Sequence, residues 1–159
     1  MPSLGILDEV QTLLMITVLM GAPAAGKTTW LKQNKTGNEH IYSADLVRVD
    51  KDLDVDYYMA TIRSKAIKAV MNGKNVIADG THTIKTHRMF WLALAKRYHV
   101  ETKLIVFDTP LQLLLKGNSM RQYPCATDVL LKHHKSMPMA KRHAMREAWN
   151  SIDRLVRDV

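Results

Sequence analysis

The sequence predicts an α/β fold, a doubly wound parallel sheet of four or five strands with helices on both faces. Three observations predict it. Short apolar or β-branched runs alternate with helix-length amphipathic segments along the chain. The first run is continuously apolar, as a strand buried on both faces requires, and it feeds straight into a glycine-bounded loop. Two later runs close on an aspartate, at the carboxyl rim where open α/β sheets hold ligands.

Leu14 to Met20 is the first strand. The loop Gly21-Ala22-Pro23-Ala24-Ala25-Gly26-Lys27-Thr28 follows, then a helix from about Lys27 to Gln33 that Gly37 and Asn38 stop. His40 to Ser43 is a short second strand delivering Ser43-Ala44-Asp45-Leu46-Val47-Arg48. Asp50, Asp52, Asp54 and Asp56 make an acidic, turn-prone lead into a helix on which Tyr58, Ile62, Ala66 and Ala69 recur at helical spacing, up to Gly73.

Asn75 to Asp79 is the third strand. A helix from about Thr86 to Tyr98 sets Phe90, Trp91, Leu94 and Tyr98 on one side, with Lys85, Arg88, Lys96 and Arg97 largely on the other. Lys103 to Asp108 is the fourth strand, and Pro110 suits the first turn of a helix to about Lys116. The polar, breaker-rich stretch from Gly117 to Pro124 is expected to be a mobile lid. Two helices, about Thr127 to Lys135 and Met139 to Val156, are expected to close the chain. Residues 1–14 read as an extension of unassigned role and residues 15–159 as a single domain.

Composition narrows the partners. The 159 residues are 47% hydrophobic and 24% charged, with formal net charge +8 and an isoelectric point near 9.7. That excess of positive charge favours a polyanionic partner. A single cysteine, Cys125, excludes an internal disulfide and a cysteine-based metal site and fits a reducing cytoplasm. The longest apolar run is far short of the roughly 18 residues that span a bilayer, so no membrane association is expected. His133, His134 and His143 lie among lysines and arginines, which fits a solvated basic face.

Residues 21–28 satisfy G-x-x-x-x-G-K-T, the phosphate loop of P-loop NTPases. Glycines at both ends allow a tight turn that exposes successive N–H groups, and the helix after it directs its positive end to the same point. Gly21, Ala22, Pro23, Ala24, Ala25, Gly26, Lys27, Thr28 and Thr29 are therefore expected to hold ATP or another nucleoside triphosphate. Lys27 would follow the β- and γ-phosphates, and the Thr28 hydroxyl is a hard ligand for Mg²⁺.

The loop alone does not choose between an ATPase, a GTPase and a kinase. Asp45, just past the second strand, is placed to orient an acceptor hydroxyl and take its proton, or else to cap a helix. Arg48, three residues on, can hold a substrate phosphate. Asp79 and Asp108 both end strands and compete for the Mg²⁺-binding role through water; Asp79 is preferred because its strand should neighbour the first. Arg121 is placed to reach the γ-phosphate from the lid, or is a surface arginine.

Taken together, GAPAAGKTTW, SADLVR, VIADGTH, FDTPLQLLLKGNSMR and PCATDVLLKHHKSM resemble the 5′-hydroxyl polynucleotide kinases, especially the kinase domain of bacteriophage end-healing enzymes, over roughly residues 15 to 138. The resemblance implies that Asp45 activates the 5′-hydroxyl, that Arg48 holds the 3′ phosphate of the terminal nucleotide and that Arg121 binds the γ-phosphate. It also implies that Asp79, Thr81 and His82 help form the acceptor pocket, with Arg88 a basic position in the next helix. His82 replaces the family's usual asparagine, and Gly117 stands where the phage enzymes tend to have a second lid arginine. No D-x-D-G-T phosphatase signature is present.

The expected activity is ATP-dependent phosphorylation of a 5′-hydroxyl end of RNA or DNA, in nucleic-acid repair. The rivals are a small-molecule kinase on the same scaffold and a nucleic-acid-binding ATPase or switch.

Overall fold

A computed structural model describes residues 14–44 and 54–157. Five strands, β1 (Met15–Met20), β2 (His40–Ser43), β3 (Val76–Asp79), β4 (Glu101–Asp108) and β5 (Ser151–Val156), form one parallel sheet in the order β2-β3-β1-β4-β5. Five helices connect them: α1 (Lys27–Asn34), α2 (Val55–Met71), α3 (Lys85–Tyr98), α4 (Leu111–Ser119) and α5 (Thr127–Ala144). This is an α/β P-loop NTPase-like fold. None of these helices is long and apolar enough to cross a membrane.

Alternation along β1 builds two cores. Ile16, Val18 and Met20 face a cluster completed by Ala66 and Val70 of α2 and Trp91 and Leu94 of α3. Leu19, on the opposite face, joins Ala22, Ala25, Ile105, Phe107, Leu114 and Leu130. All of β3 is buried and so is most of β4, as the apolar runs predict for interior parallel strands.

The sequence expectation fails after Lys135. One helix, α5, runs through Pro138 to Ala144, and the segment expected to continue as helix to Val156 is instead the strand β5. Leu130 belongs to one core and Met137, Ala140 and Ala144 to the other, so α5 passes from one face of the sheet to the other. Strand β5 is an edge strand with mostly exposed side chains, fixed by pairing with β4 and by a Lys103–Asp153 ion pair at 2.9 Å.

The lid also differs from expectation. Gly117, Asn118 and Ser119 are the last turn of α4 rather than the start of a loose segment. Asn118 is buried, donates from Nδ2 to the Cys125 carbonyl at 2.8 Å and accepts from the Cys125 N–H at 3.1 Å, closing the loop between them.

Candidate active site

Strand order places the site. The chain leaves β1 toward β3 and β2, then returns across it to β4, so the carboxyl ends of β1 and β3 flank the point where the winding reverses. The loops leaving these two strands are joined there: the Gly21 N–H donates to the Thr81 carbonyl at 3.0 Å. On the other side the buried Thr109 hydroxyl donates to the Ala25 carbonyl at 2.8 Å, fixing the loop to β4.

The phosphate loop has the backbone its function needs. Gly26 caps α1 at φ 106°, a conformation that favours glycine, and Ala24 also has positive φ, at 67°. A Cβ on Gly21 would lie 2.9 Å from the Phe107 Cβ, so only glycine lets the loop start this close to β4. Lys27 Nζ donates to the Gly21 and Ala22 carbonyls at 2.7 and 2.8 Å, inside the loop.

Above the loop lies a cavity of about 210 Å³ lined by Pro23, Ala24, Gly26, Lys27, Thr28, Thr29, Asp79, Gly80, Thr81, Gly117, Arg121 and Arg157. Gly21, Ala22 and Ala25, expected to touch nucleotide, lie outside this lining; Ala22 and Ala25 pack in the core. Arg121 reaches the cavity from beyond α4, and its buried Nη1 has no hydrogen-bond partner among the described residues. A buried guanidinium nitrogen left unsatisfied is costly, and a phosphate oxygen in this cavity would satisfy it. The site therefore fits a nucleoside triphosphate, with Thr28 and Asp79 as the residues that would hold Mg²⁺. Arg157 was missed in the sequence because β5 was missed: as the residue after that strand, its Nη1 lies 3.3 Å from where a Gly26 Cβ would stand.

A second cavity, of about 430 Å³, adjoins the first and shares Asp79, Gly80 and Thr81 with it. Its remaining walls are Tyr42, Ala44, Met59, Arg63, His82, Thr86, His87, Phe90 and Trp91. Arg63 lies 5.9 Å over the Phe90 ring. Burial raises the Tyr42 pKa against the opposing effect of Arg63, while burial and then Arg63 lower that of His87.

Two expected acceptor contacts have other roles. His82 is 5% exposed, with φ 51°, in the left-handed region that histidine and asparagine enter more readily than most residues. Its Nε2 accepts from Trp91 Nε1–H at 3.0 Å, which puts the proton on Nδ1, facing the Leu19 carbonyl at 2.7 Å. Both ring nitrogens are thus used in fastening the 80–83 turn, Nδ1 to β1 and Nε2 to α3. Arg88, expected on the polar side of its helix, is 1% exposed and lines neither cavity. It donates to both Glu147 oxygens at 2.8 and 2.9 Å and to the His82 and Thr83 carbonyls, bracing the turn after β3 against the segment after α5.

Asp79 and Asp108 are separated on different grounds from those expected, since β3 and β4 both flank β1. Asp108 is occupied: Lys141 Nζ and Arg154 Nε donate to its Oδ2 at 2.9 and 2.8 Å. Burial works to raise its pKa, but these two cations hold it below the usual carboxylate range. Asp79 lines both cavities. Asp45 and Arg48 lie outside the described residues.

Residues 16–145 match a family model described as an AAA domain, AAA_33. The chain belongs to that family. Among solved structures it is similar to a chain of the Pnkp1/Rnl/Hen1 RNA repair complex, with TM-score 0.67 and 21% identity over 86% of this chain. The match spans about half, 48%, of that chain. Kti12 of Chaetomium thermophilum in complex with ADP-AlF3 matches with TM-score 0.65 and 16% identity, over 90% of this chain and 89% of that one. A putative kinase from Chloroflexus aurantiacus matches with TM-score 0.63 and 15% identity, over 92% and 89%. At these identities the likeness establishes the fold, the α/β P-loop NTPase-like arrangement of the sheet and its helices.

Proposed function

We propose that the protein is an ATP-dependent 5′-hydroxyl polynucleotide kinase acting on RNA or DNA ends. The observation that carries this reading is the pair of adjoining cavities: one over the phosphate loop, the other aromatic-walled and meeting it at Asp79, Gly80 and Thr81. A hydrolytic switch needs room only for water beside the γ-phosphate, whereas a phosphoryl transferase needs room for an acceptor. The likeness to a chain of an RNA repair complex and the net charge of +8 support a nucleic-acid acceptor.

In this reading the first cavity takes the nucleotide. Lys27 and Arg121 offset charge on the transferring phosphoryl group, and positioning does most of the work of in-line transfer. Bound Mg²⁺, on Thr28 and through water on Asp79, supplies further charge neutralisation. Asp45 directly follows Ala44, a residue lining the second cavity, and would take the proton of the 5′-hydroxyl. Arg48 would hold the neighbouring phosphate of the acceptor. Thr81, at the junction of the cavities, would face the transferring group.

The test is an acceptor panel: Mg²⁺ and γ-labelled ATP with 5′-hydroxyl oligonucleotides, 3′-nucleoside monophosphates, free nucleosides and sugars. Labelled oligonucleotide, with activity falling steeply as salt rises, is expected. Label in nucleosides or sugars alone would make this a small-molecule kinase, and phosphate release indifferent to every acceptor would make it an ATPase.

A further inference from the structure

The second cavity is larger than transfer to a hydroxyl demands. At about 430 Å³ it is in the range of pockets that enclose a whole small ligand, and Tyr42, Met59, Phe90 and Trp91 give it apolar and aromatic walls. One cation on that wall has no established task. Arg63 is half-buried on α2, on the same side of the helix as Ala66 and Val70 and one and two turns before them. Among the described residues it forms no ion pair.

Arg63 is nevertheless held in place. Its guanidinium stands 5.9 Å from the Phe90 ring centroid, on the wall that Tyr42 also lines. Phe90 packs edge-on against Trp91, with centroids 4.7 Å apart, and Tyr42 does the same at 4.8 Å. The planar cation thus stands over one ring of a packed cluster of three. A guanidinium so fixed presents a flat face that a nucleobase can stack on, with little ordering cost left to binding.

We propose that Arg63, standing over Phe90, is the platform on which the terminal nucleobase of the acceptor stacks. This deepens the kinase reading and rests on it. Stacking is indifferent to base identity, because every base has a π-face, so the site would fix the position of the end without reading its sequence.

The experiment measures steady-state transfer from ATP to 5′-hydroxyl oligonucleotides with a normal or an abasic terminal nucleotide, for the wild type, Arg63→Ala and Arg63→Lys. Loss of one stacked base is worth about a tenfold to hundredfold rise in acceptor KM. That rise is expected in Arg63→Ala, with KM for ATP unchanged. Arg63→Lys keeps the charge but not the plane and is expected to be as impaired. The wild type on the abasic acceptor should lose the same factor, and Arg63→Ala should lose nothing more on it. The abasic comparison in the wild type stands even where a variant folds poorly. An acceptor KM in Arg63→Ala within twofold of wild type, restoration by lysine, or equal abasic losses in both proteins would overturn the stacking role and leave the kinase reading intact. Failure of the wild type to label any oligonucleotide would overturn both.

Discussion

Trp91 Nε1 donates a hydrogen bond to His82 Nε2 at 3.0 Å, and this single bond decides the histidine's tautomer and its role. With Nε2 accepting, Nδ1 carries the proton toward the Leu19 carbonyl, and the turn between the two cavities is fastened to β1. Burial lowers the His82 pKa to about 4, well below the ordinary value of 6.5. The unfolded chain then binds a proton between pH 6.5 and 4 that the folded protein refuses. The resulting stability is fully present above pH 6.5 and is lost as pH falls toward 4, by about 3 kcal/mol in all. His40 and His87 are lowered too and act in the same direction. Urea unfolding from pH 7 to 4 should therefore show a steep loss in the wild type and a shallower one in His82→Asn.

The Arg88–Glu147 pair joins α3 to the segment after α5 with side chains only 1% and 10% exposed. Removing one partner strands the other charge in the core. Arg88→Ala or Glu147→Ala should lower unfolding free energy by about 3–5 kcal/mol, measured by urea denaturation. In an acceptor role, Arg88 would instead have altered acceptor KM at unchanged stability.

Asp79 and Asp108 end the two strands that flank β1 but should respond oppositely to neutralisation. Asp79→Asn is expected to cut Mg²⁺-dependent turnover by about a hundredfold or more. Asp108→Asn should retain most activity and lose about 1 kcal/mol of stability, because its partners Lys141 and Arg154 are partly solvated. Parallel kinetics across a Mg²⁺ titration and thermal melts would check both.

Arg121 carries the unsatisfied nitrogen that points to phosphate. Arg121→Ala is expected to reduce kcat by about a thousandfold, in the range of arginines that stabilise transferring phosphoryl groups. ATP affinity, measured by equilibrium titration, should change far less.

How much of this was legible in the sequence follows from what each signal measures. The phosphate loop and the strands β1, β3 and β4 were readable because local chemistry and burial on both faces dictate them, as Gly21 and Gly26 show. The last strand was not. Ile152 is the one half-buried side chain in β5, so no hydrophobic pattern announces it, and pairing with β4 supplies the instruction. Arg157 was hidden with it. Pro138 lies in the gap between the two helices expected there, yet α5 runs through it where the helix crosses between the two cores. Arg88 was placed on the polar side because helical spacing registers charge but not Glu147, 59 residues away. His82 was singled out by resemblance as an acceptor contact, while its hydrogen bonds to Leu19 and Trp91 depend on tertiary contacts that no spacing encodes.

Transfer of γ-labelled phosphate to matched oligonucleotides, one ending in a 5′-hydroxyl and one already 5′-phosphorylated, tests the central claim most directly. The account predicts phosphatase-removable label on the 5′ end of the first oligonucleotide alone, reduced about a hundredfold or more in Asp45→Asn with ATP binding intact. Label on neither oligonucleotide, with phosphate released at the same rate whether or not they are present, would contradict it.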